Sequence, residues 1–122
     1  MTDFPGLFSA VSAELDAPLE EWGPRPGADS GDPRMSGRIL FSTADGSVEV
    51  GIWACTPGGW SIEDRPDTET VRILSGRARL TDAGANKDGV ELVPGDVLVL
   101  PKGWSGRWDI LEPVHKLYIL SR

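Results

Sequence analysis

Short apolar runs rich in β-branched residues follow one another from Arg38 to the end of the chain, with a turn signal about every ten residues. Pro, Gly, Asn and Asp mark these turns, as in PGG at 57–59, PGD at 94–96 and PKG at 101–103, and further turns are predicted at SG (75–76) and EP (112–113). No helix-like apolar period competes in this region. Antiparallel strands with such corners favour a closed barrel or a double-sheet roll, because closure removes the unpaired edges of an open sheet. The sequence therefore predicts an all-β fold.

Residues 1–37 differ from the rest of the chain because Pro, Gly and acidic residues are frequent there. One short stretch, residues 7–15, has the four-residue apolar spacing of a helix. Residues 18–37 can hold no long regular element, since their Pro and Gly residues interrupt helices and sheets alike. At 122 residues the chain has the length of one domain. We predict a single domain at residues 38–122, preceded by an extended, partly helical arm at residues 1–37 that is not an independent domain.

Composition limits the partners and the location of the protein. The chain carries 19 acidic and 12 basic side chains, a net charge of -7, and its basic residues are scattered singly. Nucleic acid is therefore not an expected partner. Apolar runs long enough to span a membrane and the features of a secretory signal are both missing from the sequence, so we expect no membrane association and a cytoplasmic location. The single Cys55 has no disulfide partner and no zinc-finger spacing, which favours a buried apolar residue over a thiol of a site.

Two spaced motifs carry a resemblance to a known family. Gly95, five residues, Pro101, one residue and Gly103 match the frame of the second cupin motif, G-x5-P-x-G-x2-H-x3-N. Upstream, Glu69 followed after six residues by Gly76 matches the end of the first motif, G-x5-H-x-H-x3-4-E-x6-G. The chain thus resembles the cupin superfamily, which implies a single-domain double-stranded β-helix, or jelly-roll barrel.

A longer likeness points to one branch of that superfamily. Roughly residues 18–121 are similar to the branch named for the (S)-ureidoglycine aminohydrolase domain, through GDPRMSGR, GIWACTPGGW, ETVRILSGRARLTD and PGDVLVLPKGWSGRWDILEPVHKLYIL. The resemblance implies a small polar, nitrogen-containing substrate in those members that are enzymes, and metal dependence in them. Cupins commonly pair through sheet faces or exchanged N-terminal strands, so the resemblance also implies a homodimer.

The metal ligands of the family are largely missing. A typical metal-binding cupin uses three His and one Glu, a mixed set suited to divalent transition metals. The three His positions correspond here to Ile62 and Asp64, or to Glu63 and Arg65 with a shorter spacer, and to Gly106. Glu69 alone remains, and the single histidine, His115, lies outside both motifs and is interpreted as a strand residue. We therefore expect no cofactor.

A divalent metal held by carboxylates is the alternative. Its ligands would be Glu63, Asp64, Asp67 and Glu69. The segment EDRPDT that contains most of them is interpreted more simply as a solvated loop.

Strand alternation assigns two faces to each strand without deciding which face lines the barrel, and we interpret Glu69 as pointing inward. A carboxylate inside the barrel needs a cationic partner, because a low-dielectric interior disfavours an isolated charge. Lys116 is the predicted partner, since the last strand can bring it inward beside Tyr118 and family members resemble this chain in that Lys-x-Tyr pattern. Arg72 and Arg107 are the alternatives. The predicted catalytic candidates are Glu69 as base or acceptor, with Lys116 and Tyr118 as donors.

Tryptophan is unusually frequent, with five in the chain. Several Trp side chains on strands favour a cavity wall over plain core filling or a dimer interface, because each indole N–H needs a partner when buried. A strand glycine such as Gly106 marks close backbone approach or vacated space. The predicted ligand-binding residues are Trp53, Trp60, Trp104, Trp108 and Cys55.

Two functions of different classes follow from these features. The first is a small-molecule binding protein that holds a small polar metabolite in the Trp-lined pocket without a metal, as an accessory or sensor in catabolism. The second is an aminohydrolase-like or isomerase-like enzyme acting on a small nitrogen-containing metabolite by acid–base chemistry of Glu69, Lys116 and Tyr118. A scaffold that only dimerises is a third interpretation.

Overall fold

Nine strands form one curled sheet, a half-barrel, as the predicted all-β cupin fold requires. The computed structural model describes residues 6–10, 15–84 and 89–122. In chain order the strands are β1 (Glu20–Pro24), β2 (Ala28–Gly31), β3 (Arg34–Ser42), β4 (Val48–Cys55), β5 (Gly58–Ile62), β6 (Thr68–Asp82), β7 (Val90–Leu92), β8 (Val97–Leu100) and β9 (Gly106–Ser121). Across the described residues, no helix combines the length and the apolar character needed to cross a membrane.

Two long strands, β6 and β9, organise the sheet. They pair antiparallel from Thr68 opposite Ser121 to Asp82 opposite Gly106. On its other side β9 pairs first with β5 and then with β4, while β6 pairs with β8 and β7. Strands β4, β5, β6 and β9 consequently present their inward faces to one another, and the site described below lies among them.

Two predicted turns are bends inside these long strands. The sequence signals at Ser75-Gly76 and Glu112-Pro113 suggested chain reversals, but both lie within continuous strands. The pairing register shifts between Ile73 and Ala78, and Gly76 has a φ of +87°. A Cβ atom at Gly76 would overlap the carbonyl oxygen of Pro113. The two strands therefore bend together at a point of close backbone contact that only glycine allows.

The N-terminal part contributes to the sheet as well. Strand β1 pairs with β3, and β2 pairs with β5, so residues 20–37 add strands and the predicted boundary at residue 38 falls inside β3. Among the described residues the predicted helical arm is not seen: residues 6–10 adopt no regular structure, and residues 11–14 of the predicted helix lie outside the described residues. Short strands fit between the Pro and Gly residues because each needs only a few ladder bonds.

Candidate functional site

A cavity of about 360 Å³ lies on the concave face of the sheet. Five of its lining residues are buried and form what we call the floor: Trp60, Glu69, Trp108, Lys116 and Tyr118. Half-buried residues form what we call the rim, among them Trp22, Arg25, Met35, Trp53, Arg65 and Leu120. The cavity lies within the range of roughly 300 to 1,000 Å³ typical of small-ligand sites, near its lower end.

A buried ion pair lies in the floor. Lys116 on β9 donates from Nζ to Oε2 of Glu69 on β6 over 2.8 Å, and the two residues are 6% and 5% exposed. Burial holds the pKa of Lys116 below its ordinary value, while the neighbouring Glu69 acts in the opposite direction. Alternation assigns each side chain to one face of its strand but leaves open which face is inward; the structure turns both side chains inward and brings together the pair that the sequence predicted. Neither Arg72, which is exposed, nor Arg107, which bonds to Asp29 and Asp109, takes the place of Lys116.

Arg65 extends this pair into a network. Its guanidinium lies 3.3 Å from Oε1 of Glu69 and 2.7 Å from Oδ1 of Asp67. The other oxygen of Asp67 lies 3.4 Å from Nε of Arg122, near the chain end. Asp67 is only 6% exposed. The segment EDRPDT is therefore not the solvated loop that its composition suggested, because two of its charged side chains fold inward against each other and Glu69.

Two tryptophans, Trp53 and Trp108, contact the Lys116 ammonium, and a third, Trp60, packs against both of their rings. Trp60 and Trp108 lie directly opposite each other on β5 and β9 and stack with their rings 6.2 Å apart at 10°. Trp53 lies 6.0 Å from Trp60 and 6.2 Å from Trp108. The Lys116 Nζ atom lies 4.3 Å from the Trp53 ring centre and 4.6 Å from that of Trp108, within cation–π range. The rings thus supply a cavity wall and part of the cation's stabilisation.

Tyr118 is hydrogen-bonded to Glu49, a carboxylate other than Glu69. Its hydroxyl donates to Oε2 of Glu49 over 2.8 Å. Burial, followed by this hydrogen bond, raises the pKa of Tyr118 well above its ordinary value. Gly51, opposite Tyr118 in the β4–β9 ladder, leaves the space that the phenol ring occupies. Tyr118 is therefore a neutral hydrogen-bonding group at neutral pH and cannot serve as a base there.

Two predicted ligand-binding residues lie away from the cavity. Trp104 precedes β9, donates from its indole N–H to Asp82 over 2.7 Å, and does not line the cavity. Cys55 is 2% exposed in the apolar core and likewise does not line it. The prediction that Gly106 leaves space for the cavity is also not supported. The Trp104 ring and the Thr81 carbonyl occupy the space where a side chain at Gly106 would project, so the missing side chain does not enlarge the cavity. The two-residue alternation of β9 does not apply to Trp104, because Trp104 lies in the turn region after Pro101 and Gly103, before β9 begins.

Sequence reasoning missed three rim residues. Trp22 and Arg25 belong to the segment WGPRPG, and the Arg25 guanidinium lies 5.0 Å over the Trp60 ring. Arg65 corresponds to a family histidine only if the spacer is the shorter one, and the motif comparison identifies it there as a missing ligand and not as a cation of the site. A signal existed for Trp22, since a large aromatic side chain in a Pro/Gly-rich segment is typical of an anchored chain. Gly37 on β3 leaves room for its ring.

The site residues do not fit the divalent metal of typical cupins. Both oxygens of Glu69 are engaged by cations, Lys116 and Arg65, and Arg25 adds a third positive charge to the cavity. Of the alternative carboxylates, Glu63 and Asp64 are exposed, whereas Asp67 is paired with Arg65. Among the described residues, no group of three or more His, Cys, Asp or Glu side chains is arranged to hold a metal ion. The donor set lacks imidazole, and a bound metal would meet the repulsion of the cations.

The buried thiol of Cys55 predicts that the protein loses stability at alkaline pH. Burial raises its pKa from an ordinary 9.0 to about 11. Between these values the unfolded chain releases the thiol proton and the folded chain keeps it, so the free energy of unfolding should fall as the pH rises. The two-unit difference corresponds to roughly 2 to 3 kcal/mol. Urea unfolding of wild type and Cys55→Ala under reducing conditions should diverge in pH dependence over this window; parallel curves would contradict the burial argument.

Comparison with known proteins agrees with this architecture. The EutQ-like cupin domain family matches residues 42–118, more than half of the chain. A crystal structure of a protein of unknown function of the DUF861 family from Pseudomonas syringae pv. tomato superposes with a TM-score of 0.78 at 21% identity, over 88% of this chain and 46% of that one. The chain thus spans less than half of that protein. No curated protein is a match for this sequence.

Two further structures share the fold. The Clostridium difficile EutQ protein has a TM-score of 0.60 at 15% identity, over 73% of this chain and 68% of its own. A protein of unknown function (DUF1255) from Acidithiobacillus ferrooxidans has a TM-score of 0.56 at 33% identity, over 84% of this chain and 89% of its own.

Proposed function

Because the chain belongs to the EutQ-like cupin domain family, and because its cavity holds paired charges in place of metal ligands, we propose that it binds a small polar metabolite without a metal, as an accessory or sensor. The observation that carries the proposal is the buried Lys116–Glu69 pair beneath the wall of Trp53, Trp60 and Trp108. Apolar walls with a few fixed polar groups are typical of small-ligand sites.

An indole N–H in the cavity wall that lacks a hydrogen-bond acceptor supports this proposal. The indole N–H of Trp60 is buried and has no partner among the described residues. An unpaired buried donor costs about 1 to 3 kcal/mol, so a core that served only stability would gain by removing it. Trp104, outside the cavity, has its N–H satisfied by Asp82. The difference favours a binding role for the cavity wall over plain core filling.

Matched tryptophan substitutions test the binding proposal. Small polar metabolites that raise the melting temperature of the wild type should also quench its tryptophan fluorescence. Trp53→Phe, in the rim, should weaken their binding by roughly three- to tenfold, because it removes part of the aromatic wall. Trp104→Phe is the control, since Trp104 is also half-buried but does not line the cavity. Equal effects of the two substitutions, or no ligand at all, would contradict the proposal.

The second candidate is an aminohydrolase-like or isomerase-like enzyme using the same cavity. The lowered pKa of Lys116, caused mainly by burial, is the observation that favours it, because shifted pKa values concentrate at catalytic sites. In this case Lys116 would donate and accept the proton, since Tyr118 is held neutral and bonded to Glu49. Proton NMR of each bound compound over several hours distinguishes the candidates: an enzyme converts it and Lys116→Met does not, whereas a binding protein returns it unchanged.

A further inference from the structure

The charges around the cavity do not balance. Lys116 and Arg65 share Glu69, Arg65 also pairs with Asp67, and Arg122 lies near both Asp67 and Glu49. These contacts leave the Arg25 guanidinium as the one cation of the cavity lining without a carboxylate within 4.0 Å among the described residues. The surplus positive charge stands out in a chain whose net charge is -7.

Arg25 is held in position for binding. It lies between β1 and β2, where its backbone N–H donates to the Pro33 carbonyl over 2.9 Å. Its half-buried guanidinium lies over the face of Trp60, and burial holds the pKa of Arg25 below its ordinary value. A guanidinium on an aromatic face keeps its planar edge of N–H donors free. Such an edge fits the two oxygens of a carboxylate.

We propose that the ligand of this cavity is a small monocarboxylate with a flat, unsaturated body, whose carboxylate binds Arg25 and whose body packs against the half-buried Trp53. The inference rests on the proposed function and adds the ligand class to it. One surplus positive charge is balanced by one negative charge, which favours a monocarboxylate over a dianionic phosphate. An amine ligand is disfavoured because Arg25, Arg65 and Lys116 would repel it. The volume of about 360 Å³ suits a compact molecule.

Four probes of similar size but different charge test this inference by isothermal titration calorimetry: benzoate, benzamide, benzylammonium and phenyl phosphate. We expect benzoate to bind at least about tenfold more tightly than benzamide, because a charge-assisted bidentate contact is stronger than a neutral one. Arg25→Met should abolish this preference, and Arg25→Lys should retain only part of it. Arg72→Met is the matched control, because Arg72 is exposed on β6 and outside the cavity.

The outcomes separate this inference from the proposed function. If benzamide or benzylammonium binds as tightly as benzoate, or if phenyl phosphate binds more tightly, the monocarboxylate inference is wrong while the binding function stands. An unchanged benzoate preference in Arg25→Met has the same meaning. If none of the four probes binds while other small polar metabolites still stabilise the wild type, the monocarboxylate inference is wrong and the binding function stands; if no metabolite binds either, both fail. A benzoate preference lost in Arg25→Met and kept in Arg72→Met supports both.

Discussion

Replacing Glu69 by glutamine should lower the free energy of unfolding by about 3 to 5 kcal/mol, the usual cost of removing one partner of a buried ion pair. The substitution leaves the Lys116 ammonium buried without its carboxylate partner. The positive charges of Arg65 and Arg25 then repel it. Replacing Lys116 by methionine should cost about half as much, since Arg65 still lies 3.3 Å from the Glu69 carboxylate. The asymmetry follows from the surplus of cations around a single central carboxylate.

The double substitution Glu69→Gln/Lys116→Met completes the cycle and is expected to recover most of the lost stability. Neutral residues of similar size avoid the desolvation of both charges, so removing a whole buried pair is often close to neutral. Urea unfolding at neutral pH gives all four free energies. Losses that simply add in the double variant would show that the two side chains do not interact in the folded protein, and equal losses in the single variants would contradict the role given to Arg65.

Replacing Gly76 by alanine should cost more than about 4 kcal/mol or prevent folding. A φ of +87° alone costs a non-glycine residue roughly 1 to 2 kcal/mol. The larger contribution comes from crowding, because the added Cβ would overlap the Pro113 carbonyl and approach the Cα of Val114 at 2.8 Å. Neither contact can relax without moving the backbone of β9, which carries Trp108 and Lys116 into the cavity.

Gly95→Ala is the matched control for this substitution. Gly95 is also a motif glycine and has a similar φ of +94°, but no atom lies within 4 Å of the position its Cβ would take. We expect Gly95→Ala to lose only the conformational cost of about 1 to 2 kcal/mol and to keep a cooperative transition. Similar losses for Gly76→Ala and Gly95→Ala in thermal or urea unfolding would contradict the close approach of β6 and β9.

Some of the site could be predicted from the sequence because strand alternation is a local property. Glu69, Lys116 and Trp108 lie in long strands whose inward faces follow the two-residue period, and the structure places all three around one cavity. The motif spacing predicted the fold for a similar reason, since Gly76, Gly95 and Gly103 all have positive φ values at turns or bends. The roles of these residues in binding or catalysis stay predictions, as does the homodimer.

The alternation argument failed where the backbone leaves the strands. Trp104 has the parity of Trp108, yet the turn before β9 directs it to Asp82. The opposite error occurs at Gly76 and Pro113. Their turn signals predict chain reversals, but the structure has two bends that face each other inside continuous strands. A single-strand pattern cannot distinguish a reversal from a bend, because that depends on which strand lies alongside.

The sequence by itself determined the all-β cupin fold and which side chains share one face of a strand, because motif glycines and a two-residue period act within one segment. The tertiary structure decided which of these faces turns inward, and so the burial of Glu69 and Lys116. Only the tertiary structure decided the charge balance of the cavity. Arg25 and Arg65 lie in irregular segments whose positions depend on distant pairings, β1 with β3 and β2 with β5 for the first, and on the inward fold of the Asp67 loop for the second. Electrostatic interactions depend on distance in space, so the surplus positive charge arises only when these segments meet.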